Sequence, residues 1–385
     1  MKVVAIKSIA DVSSGNTPSR RKSEYWNGSI PWITTGELES GYVTASKECV
    51  TEKALKETAL KLYHKGTVLI AMYGQGKTRG TAAVLGIEAT VNQACAALTV
   101  HSGCSKFLFY QLQNSYHAIR RLSNTGNQEN LNAEIIKNFK ILWPDELEQQ
   151  KIATILSTQD KVIELKEKLL AQKQQQKKYL MQQLLTGRKR LPGFCEKWTR
   201  KQLGELFENR VEINRSDLGL LAITSTRGIL PRDCLDLKDN SSEDKSKYLR
   251  ICPGDIGYNT MRMWQGVSAY SEYEGIVSPA YTILAPMEGV YSRYFAYLFK
   301  TQSVIFSFYR FSQGLVDDTR NLKYENFKKI SVSIPSKVAE QRAIVQILST
   351  ADHEIELLQK SIEAEKQKKK ALMQLLLTGK VRVRI

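Results

Sequence analysis

The chain has 385 residues, enough for two or three domains with full-sized cores, and a formal net charge of +17. No apolar run approaches the ~20 residues of a membrane span, and the opening MKVVAIKSIADVSSGNTPSR lacks the apolar stretch of a secretory signal. Six scattered cysteines (Cys49, Cys95, Cys104, Cys195, Cys234 and Cys252) form no C-x-x-C pair, which excludes a zinc site or disulfide framework and fits reduced thiols in the cytoplasm.

Residues 1–147 mix short β-like runs, GTVLIAMYG and ACAALTV, with turn signals and a helical stretch, SKFLFYQLQNSYHAIRRL. Three loops interrupt them. SGNTPSRRKSEYWNGSIPWITTGE concentrates Arg20, Arg21, Lys22, Tyr25 and Trp26 between Gly and Pro punctuation. YGQGKTRGT follows a strand and carries Gln75, Lys77 and Arg79, while NTGNQENLN carries Asn124, Asn127 and Gln128. GQGKT is not a Walker loop, because the glycine required five residues before Gly76 is Ala71.

Residues 148–191 read as one long helix and a linker. Asp145, with Glu148 three residues on, makes a capping-box-like start after Pro144, and Gly187 stands where a C′ glycine belongs. Positions 152, 156, 159, 163, 166, 170, 173, 177, 180 and 184 alternate steps of four and three, the spacing of a coiled-coil seam. Ile152, Leu156, Ile163, Leu170, Leu180 and Leu184 supply its apolar part; Gln159, Lys166, Lys173 and Lys177 interrupt it.

Residues 192–339 repeat the mixed pattern with SPAYTILAP and YSRYFAYLFKTQSVIFSFY. TSTRGILPRD offers Arg227 and Arg232, NTMRMWQG offers Asn259, Arg262, Trp264 and Gln265, and DDTRN offers Arg320 and Asn321. Residues 340–385 then return to the first helix, with Ile344, Leu348, Ile355, Ile362, Leu372 and Leu376 on the matching seam and Gly379 at the matching end.

EQQKIATILSTQD at Glu148 and EQRAIVQILSTAD at Glu340 lie 192 positions apart, and LLTG recurs at the same offset. The chain is therefore two related halves in tandem. Each long helix is too polar in AQKQQQKKY and EAEKQKKKA to be a globular core. The expected fold is α+β: two mixed globular domains, 1–147 and 192–339, separated by two long antiparallel helices in a pseudo-two-fold coiled coil. Lys173 could face Glu365 only if the packing register allows it, and the sequence leaves that register open.

The loop residues point to nucleic acid. Arg, Asn and Gln make paired hydrogen bonds to guanine or adenine edges, while Lys and Arg hold phosphates. Taken singly, each is more often a solvated or packing side chain than a contact, and the charge alone also serves solubility. PDELEQQK (144–151) faintly suggests a nuclease carboxylate cluster, yet helix capping accounts for its acids. No residue carries a catalytic or metal-ligand motif, and no N-P-P-Y or D-P-P-Y methyltransferase motif is present.

The doubled E-Q-x-x-I-x-x-I-L-S-T-x-D and L-L-T-G, together with LPGF at 191–194, G-N-T-P-S, Y-W-x-G-x-I-P-W-I and N-T-M-R-M-W-Q-G, resemble the specificity subunits of Type I restriction-modification enzymes. The resemblance covers essentially the whole length. It implies two target-recognition domains reading a bipartite, asymmetric DNA site, with the helices as spacer. It also implies docking of two methyltransferase (M) subunits and of restriction (R) subunits. No cofactor is expected on this chain: S-adenosylmethionine belongs to the M subunit, ATP and magnesium to the R subunit. The rival reading is a basic coiled-coil scaffold that holds nucleic acid without reading sequence.

Overall fold

The structure, a computed structural model, describes residues 2–74, 76–122, 130–224, 228–234 and 244–384. Two helices dominate the sequence: α1 (Glu146–Leu184) and α2 (Val338–Leu376), each of 39 residues. Neither contains an interior Gly or Pro, and no helix of the described residues is long and apolar enough to cross a membrane. The chain divides into two compact units, residues 1–167 with 360–385, and residues 168–359. Each unit therefore takes one globular segment, half of α1 and half of α2.

In the first unit a five-stranded sheet runs Ala10–Ser14, Cys95–Val100, Val68–Ala71, Ala82–Leu85, Tyr42–Val43, and a three-stranded sheet runs Glu48–Val50, Trp26–Ile33, Thr90–Val91. Lys2–Ala5 pairs antiparallel with Lys140–Trp143 just before α1 begins. The apolar run Val68–Ala71 is fully buried because it lies between two neighbours and is covered on both faces.

The second unit repeats the plan. Its four-stranded sheet runs Phe207–Asn209, Tyr281–Pro286, Ile256–Asn259, Ser268–Tyr270, the same order as the first four strands of the larger sheet above. Thr199–Gln202 pairs antiparallel with Ser331–Ile334 just before α2, as Lys2–Ala5 does before α1. The common plan expected of two tandem halves is present. Leu249–Ile251 with Gly275–Val277 and Leu221–Thr224 with Gly228–Pro231 complete it.

All sixteen seam positions named from the sequence are buried or half-buried. Within the first unit Ile152 and Leu156 of α1 and Leu372 and Leu376 of α2 join the core beneath the five-stranded sheet. Within the second, Leu180 and Leu184 join Ile344 and Leu348 in the other core. The apolar ends of the seam are thus parts of globular cores as well as of a helix pair.

The polar stretch is closed by ion pairs, and their order is antiparallel in both units. In the first unit Lys166 Nζ meets Glu365 Oε1 at 2.8 Å, Lys366 meets Glu167 at 2.7 Å and Lys369 meets Asp160 at 2.6 Å. Gln159 also donates to Glu365, at 2.7 Å. In the second, Lys173 meets Glu354 at 2.7 Å and Lys177 pairs with Asp352. The register left open by the sequence does not pair Lys173 with Glu365. Docking of the apolar helix ends fixes a stagger that brings Lys166 to Glu365 instead.

The repeated phrase has a local explanation. Its glutamates, Glu148 and Glu340, are 0% and 2% exposed, and each is gripped through both oxygens by an arginine three residues past a C′ glycine: Arg382 for Glu148, Arg190 for Glu340. The following glutamines cap the turn before each helix, Gln149 donating to the Pro144 carbonyl at 2.7 Å and Gln341 to that of Pro335 at 3.0 Å. Asp145 caps α1 by accepting from the Glu148 amide at 3.0 Å; the Glu148 side chain is engaged by Arg382 rather than completing a capping box. The closing aspartates accept from tyrosines, Tyr110 to Asp160 and Tyr297 to Asp352, both at 2.7 Å. Burial first, and the carboxylate second, push both phenols up, so they remain donors. Gly187 and Gly379 take φ of 70° and 72°, the left-handed conformation that ends a helix.

Candidate nucleic-acid interface

In the second unit the loop after Ile256–Asn259 carries Asn259, Arg262, Trp264 and Gln265. It is shaped by its own hydrogen bonds: the Met261 amide donates to Asn259 Oδ1 at 2.9 Å, and Trp264 Nε1 donates to the Met261 carbonyl at 3.0 Å. Gly266 turns the chain back with φ 79°. Lys300 holds the outgoing end, its Nζ donating to the carbonyls of Gly266 and Ser268 at 2.6 Å each. Burial, and then Lys177, lower the Lys300 pKa to about 8. Arg262 and Gln265 are exposed; Trp264 and Asn259 are half-buried.

A helix from elsewhere in the unit backs this loop. Tyr309, on Gln302–Phe311, packs edge-on to Trp264 at 6.2 Å between ring centres. Arg320 lies over the Tyr309 ring at 4.0 Å and donates to its hydroxyl at 2.8 Å. Two loops separated by about fifty residues of sequence thus form one surface of cations and aromatic rings, the composition that stacks on bases and holds phosphates. Asn321 sits at its edge, its amide donating to the Gln313 carbonyl at 2.7 Å. Arg232 lies half-buried at the end of Gly228–Pro231.

The first unit uses the same positions differently. Lys77 is exposed on the loop after Val68–Ala71. Its carbonyl accepts from Tyr116 Oη at 2.7 Å, and Arg120 lies over the Tyr116 ring at 5.3 Å. These groups, with His117 and Thr81, line a hollow of about 500 Å³. Loop after central strand, tyrosine from the helix behind, arginine over that tyrosine: the frame recurs in both units, with Lys77 on the loop of one and Arg262 and Trp264 on the loop of the other.

Arg20, Arg21 and Lys22 form a second group, exposed beside the three-stranded sheet. Arg20 stacks over Trp26 at 3.8 Å and holds Glu48 through both nitrogens of its fork, one at 2.8 Å. That pairing, chiefly its hydrogen bond, raises the Arg20 pKa and lowers that of Glu48. Lys22 donates to Tyr25 Oη at 2.9 Å.

Two expected contacts are folded inward. Tyr25 is 4% exposed among Ile30, Trp32 and Val50, and its hydroxyl donates to Glu57 at 2.9 Å, because an aromatic ring in a small sheet is worth more as core. Arg79 is 7% exposed, and its carbonyl accepts from Arg120 at 2.8 Å. Gln75, Asn124, Asn127, Gln128 and Arg227 lie outside the described residues. Tyr116, Arg120 and Tyr309 were not singled out from the sequence; their helices carry an apolar pattern that reads as core, and only their position behind the loops marks them.

Among the described residues no group of three or more His, Cys, Asp or Glu side chains is arranged to hold a metal ion. Of the acids of PDELEQQK, Asp145 caps α1, Glu148 is held by Arg382, and Glu146 accepts from Gln150 at 3.1 Å.

The family model described as Type I restriction modification DNA specificity domain matches residues 1–174 and 243–366, well over half the chain. A stretch of 172 residues is 35% identical to the Type I restriction enzyme MjaIX specificity subunit of Methanocaldococcus jannaschii, covering 43% of this chain and 39% of that one. Another of 151 residues is 29% identical to the Type I restriction enzyme EcoR124I/EcoR124II specificity subunit of Escherichia coli, covering 38% and 37%. The matches thus span about two-fifths of the length of these relatives. The crystal structure of the Type-I restriction-modification system S subunit from M. genitalium superposes with a TM-score of 0.60 over 98% of this chain and 96% of that one, at 16% identity. That of the HsdS subunit from Thermoanaerobacter tengcongensis gives 0.52 over 99% and 97%, at 14% identity. At these identities the likeness is one of fold.

Proposed function

The chain belongs to the Type I restriction modification DNA specificity family, and from that premise we propose that it is the non-catalytic, sequence-reading subunit of a Type I restriction-modification enzyme. Each unit reads one part of a bipartite DNA site with the loop after its central strand and the helix that backs it. The paired long helices join the two readings and receive the M subunits, which bring S-adenosylmethionine to the adenine N6; R subunits bring ATP-driven cleavage. An adenine to be methylated leaves the stack for a pocket in the M subunit rather than in this chain.

One observation carries the reading. The cation-and-aromatic surface occurs twice on one scaffold, as Lys77, Tyr116 and Arg120 and as Arg262, Trp264, Tyr309 and Arg320. A scaffold kept constant while its exposed groups differ suits two readers of two different sequences. Arginine beside an aromatic platform offers both the guanine-edge pairing and the stacking that such reading uses.

The test is to express the chain with its M subunits in a host free of adenine methylation and map N6-methyladenine across the genome. A single two-part motif with a fixed gap is the expected result. Methylation without a motif, or with a one-part motif, overturns the reading.

A further inference from the structure

Beyond Tyr309 the second unit extends a finger, Gln313–Asn321, closed at its base and apolar at its tip. Gln313 and Asn321 exchange backbone hydrogen bonds of 2.9 and 2.7 Å. Gly314 lets the two sides meet: it has φ 131°, and a Cβ there would stand 2.6 Å from the Thr319 carbonyl oxygen. A short turn, Asp317–Thr319, folds the far side, and the Thr319 amide donates to the Val316 carbonyl at 3.0 Å. Arg320 then ties the finger to the helix behind, donating to Asp317 at 2.9 Å and to Tyr309 at 2.8 Å.

At the tip Leu315 is 99% exposed and Val316 beside it is exposed too. Leu315 and Val316 are adjacent, so folding leaves a small contiguous apolar tip in water. The base of the finger is continuous with the candidate interface. The Leu322 amide donates to the Thr260 carbonyl at 2.9 Å, directly before Met261 and Arg262, and Arg320 lies over Tyr309, which packs edge-on to Trp264. Arg262, Arg310 and Lys323 are exposed at its foot, and Asp317 is paired with Arg320. An apolar tip ahead of cations and edge-packed aromatic rings is the form of a side chain that enters a base step.

We propose that Leu315 is a wedge: on binding, it inserts between neighbouring base pairs of the half-site read by residues 168–359 and unstacks that step, adding selection for easily opened sequences to the reading by Arg262 and Gln265. The proposal rests on the DNA-reading function above.

The experiment uses the chain assembled with its M subunits and a duplex carrying the motif found by methylation mapping. 2-Aminopurine is placed in turn at each position of that half-site other than the adenine that is methylated. The unaltered complex is expected to raise fluorescence several-fold at one step. Leu315→Ala abolishes the rise with assembly intact and the other half-site still bound, and Leu315→Met preserves it. Binding with no rise in the unaltered complex, or an equal rise in Leu315→Ala, overturns the wedge. So does a loss of M-subunit assembly in Leu315→Ala, which makes the finger a protein contact. Failure of the unaltered complex to bind the duplex overturns the functional reading and the wedge with it.

Discussion

Arg382 holds both carboxylate oxygens of Glu148, at 2.6 Å each, across 234 residues of chain. The repeat reproduces this: Arg190 holds Glu340 at 2.7 and 2.8 Å. Both glutamates are buried, so each arginine neutralises a charge that water does not reach. Arg382→Ala is expected to lower the melting midpoint of the first unit by several degrees and leave the second unaffected, with the reverse pattern for Arg190→Ala. Hydrogen exchange resolved along the chain checks which unit loosens. Adding Glu148→Leu to Arg382→Ala should recover part of the loss, since it removes the stranded charge.

The seam separates into anchors and pairs. Leu156→Ala and Leu348→Ala each empty a fully buried site in a globular core and should each cost about 3 kcal/mol. Lys173→Ala breaks a partly exposed pair with Glu354 and should change stability by less than about 1 kcal/mol. Denaturant titration of the purified chain distinguishes the two classes.

Lys300 predicts a pH dependence. Its folded pKa of about 8 lies below the ~10.4 of an unfolded lysine. The folded state therefore binds fewer protons than the unfolded state between these values, and stability rises with pH through that window. Below pH 8 the cost of holding the buried charge is present in full; by pH 10.4 up to about 3 kcal/mol of it is relieved. Urea midpoints of the wild-type chain and Lys300→Met, measured from pH 7 to pH 10, should converge or cross in the wild type's favour as pH increases.

Arg262→Ala is expected to relax one half of the DNA motif, at a cost of about 1–3 kcal/mol in discrimination, and leave the other half unchanged. Methylation maps read this directly. Lys77→Ala should instead weaken binding across sequences and reduce the slope of log affinity against log salt by about 1, as loss of a phosphate contact does. Anisotropy titrations at several salt concentrations measure it.

The sequence made the long helices legible because period, caps and repeat all agreed: a seam at steps of four and three, Asp145 before α1, and glycines at 187 and 379. It did not make the register legible. Asp352, Glu354, Glu356, Glu363 and Glu365 all lie on the facing helix, and which one Lys173 meets depends on where Leu156, Leu184, Leu348 and Leu376 lodge in cores assembled from distant segments. The interface divided in the same way. Arg262 and Trp264 could be singled out because their loop lacks any apolar period. Tyr25 and Arg79 share that loop chemistry yet turn inward, and Tyr309 hides in a helix whose spacing reads as core. Residue type selects candidates; the packing around each loop decides which of them meets solvent.

The division of the chain also orders its birth on the ribosome. Residues 168–359 form one uninterrupted run and hold everything the second unit needs, including the Arg190–Glu340 clasp. The other unit must wait: its globular part emerges early, but Leu376, Leu377 and Arg382, which seal its core and its buried glutamate, follow some two hundred codons later. Until then a nascent chain carries an open apolar seat around Ile152 and Leu156, so the portion translated first is the one completed last.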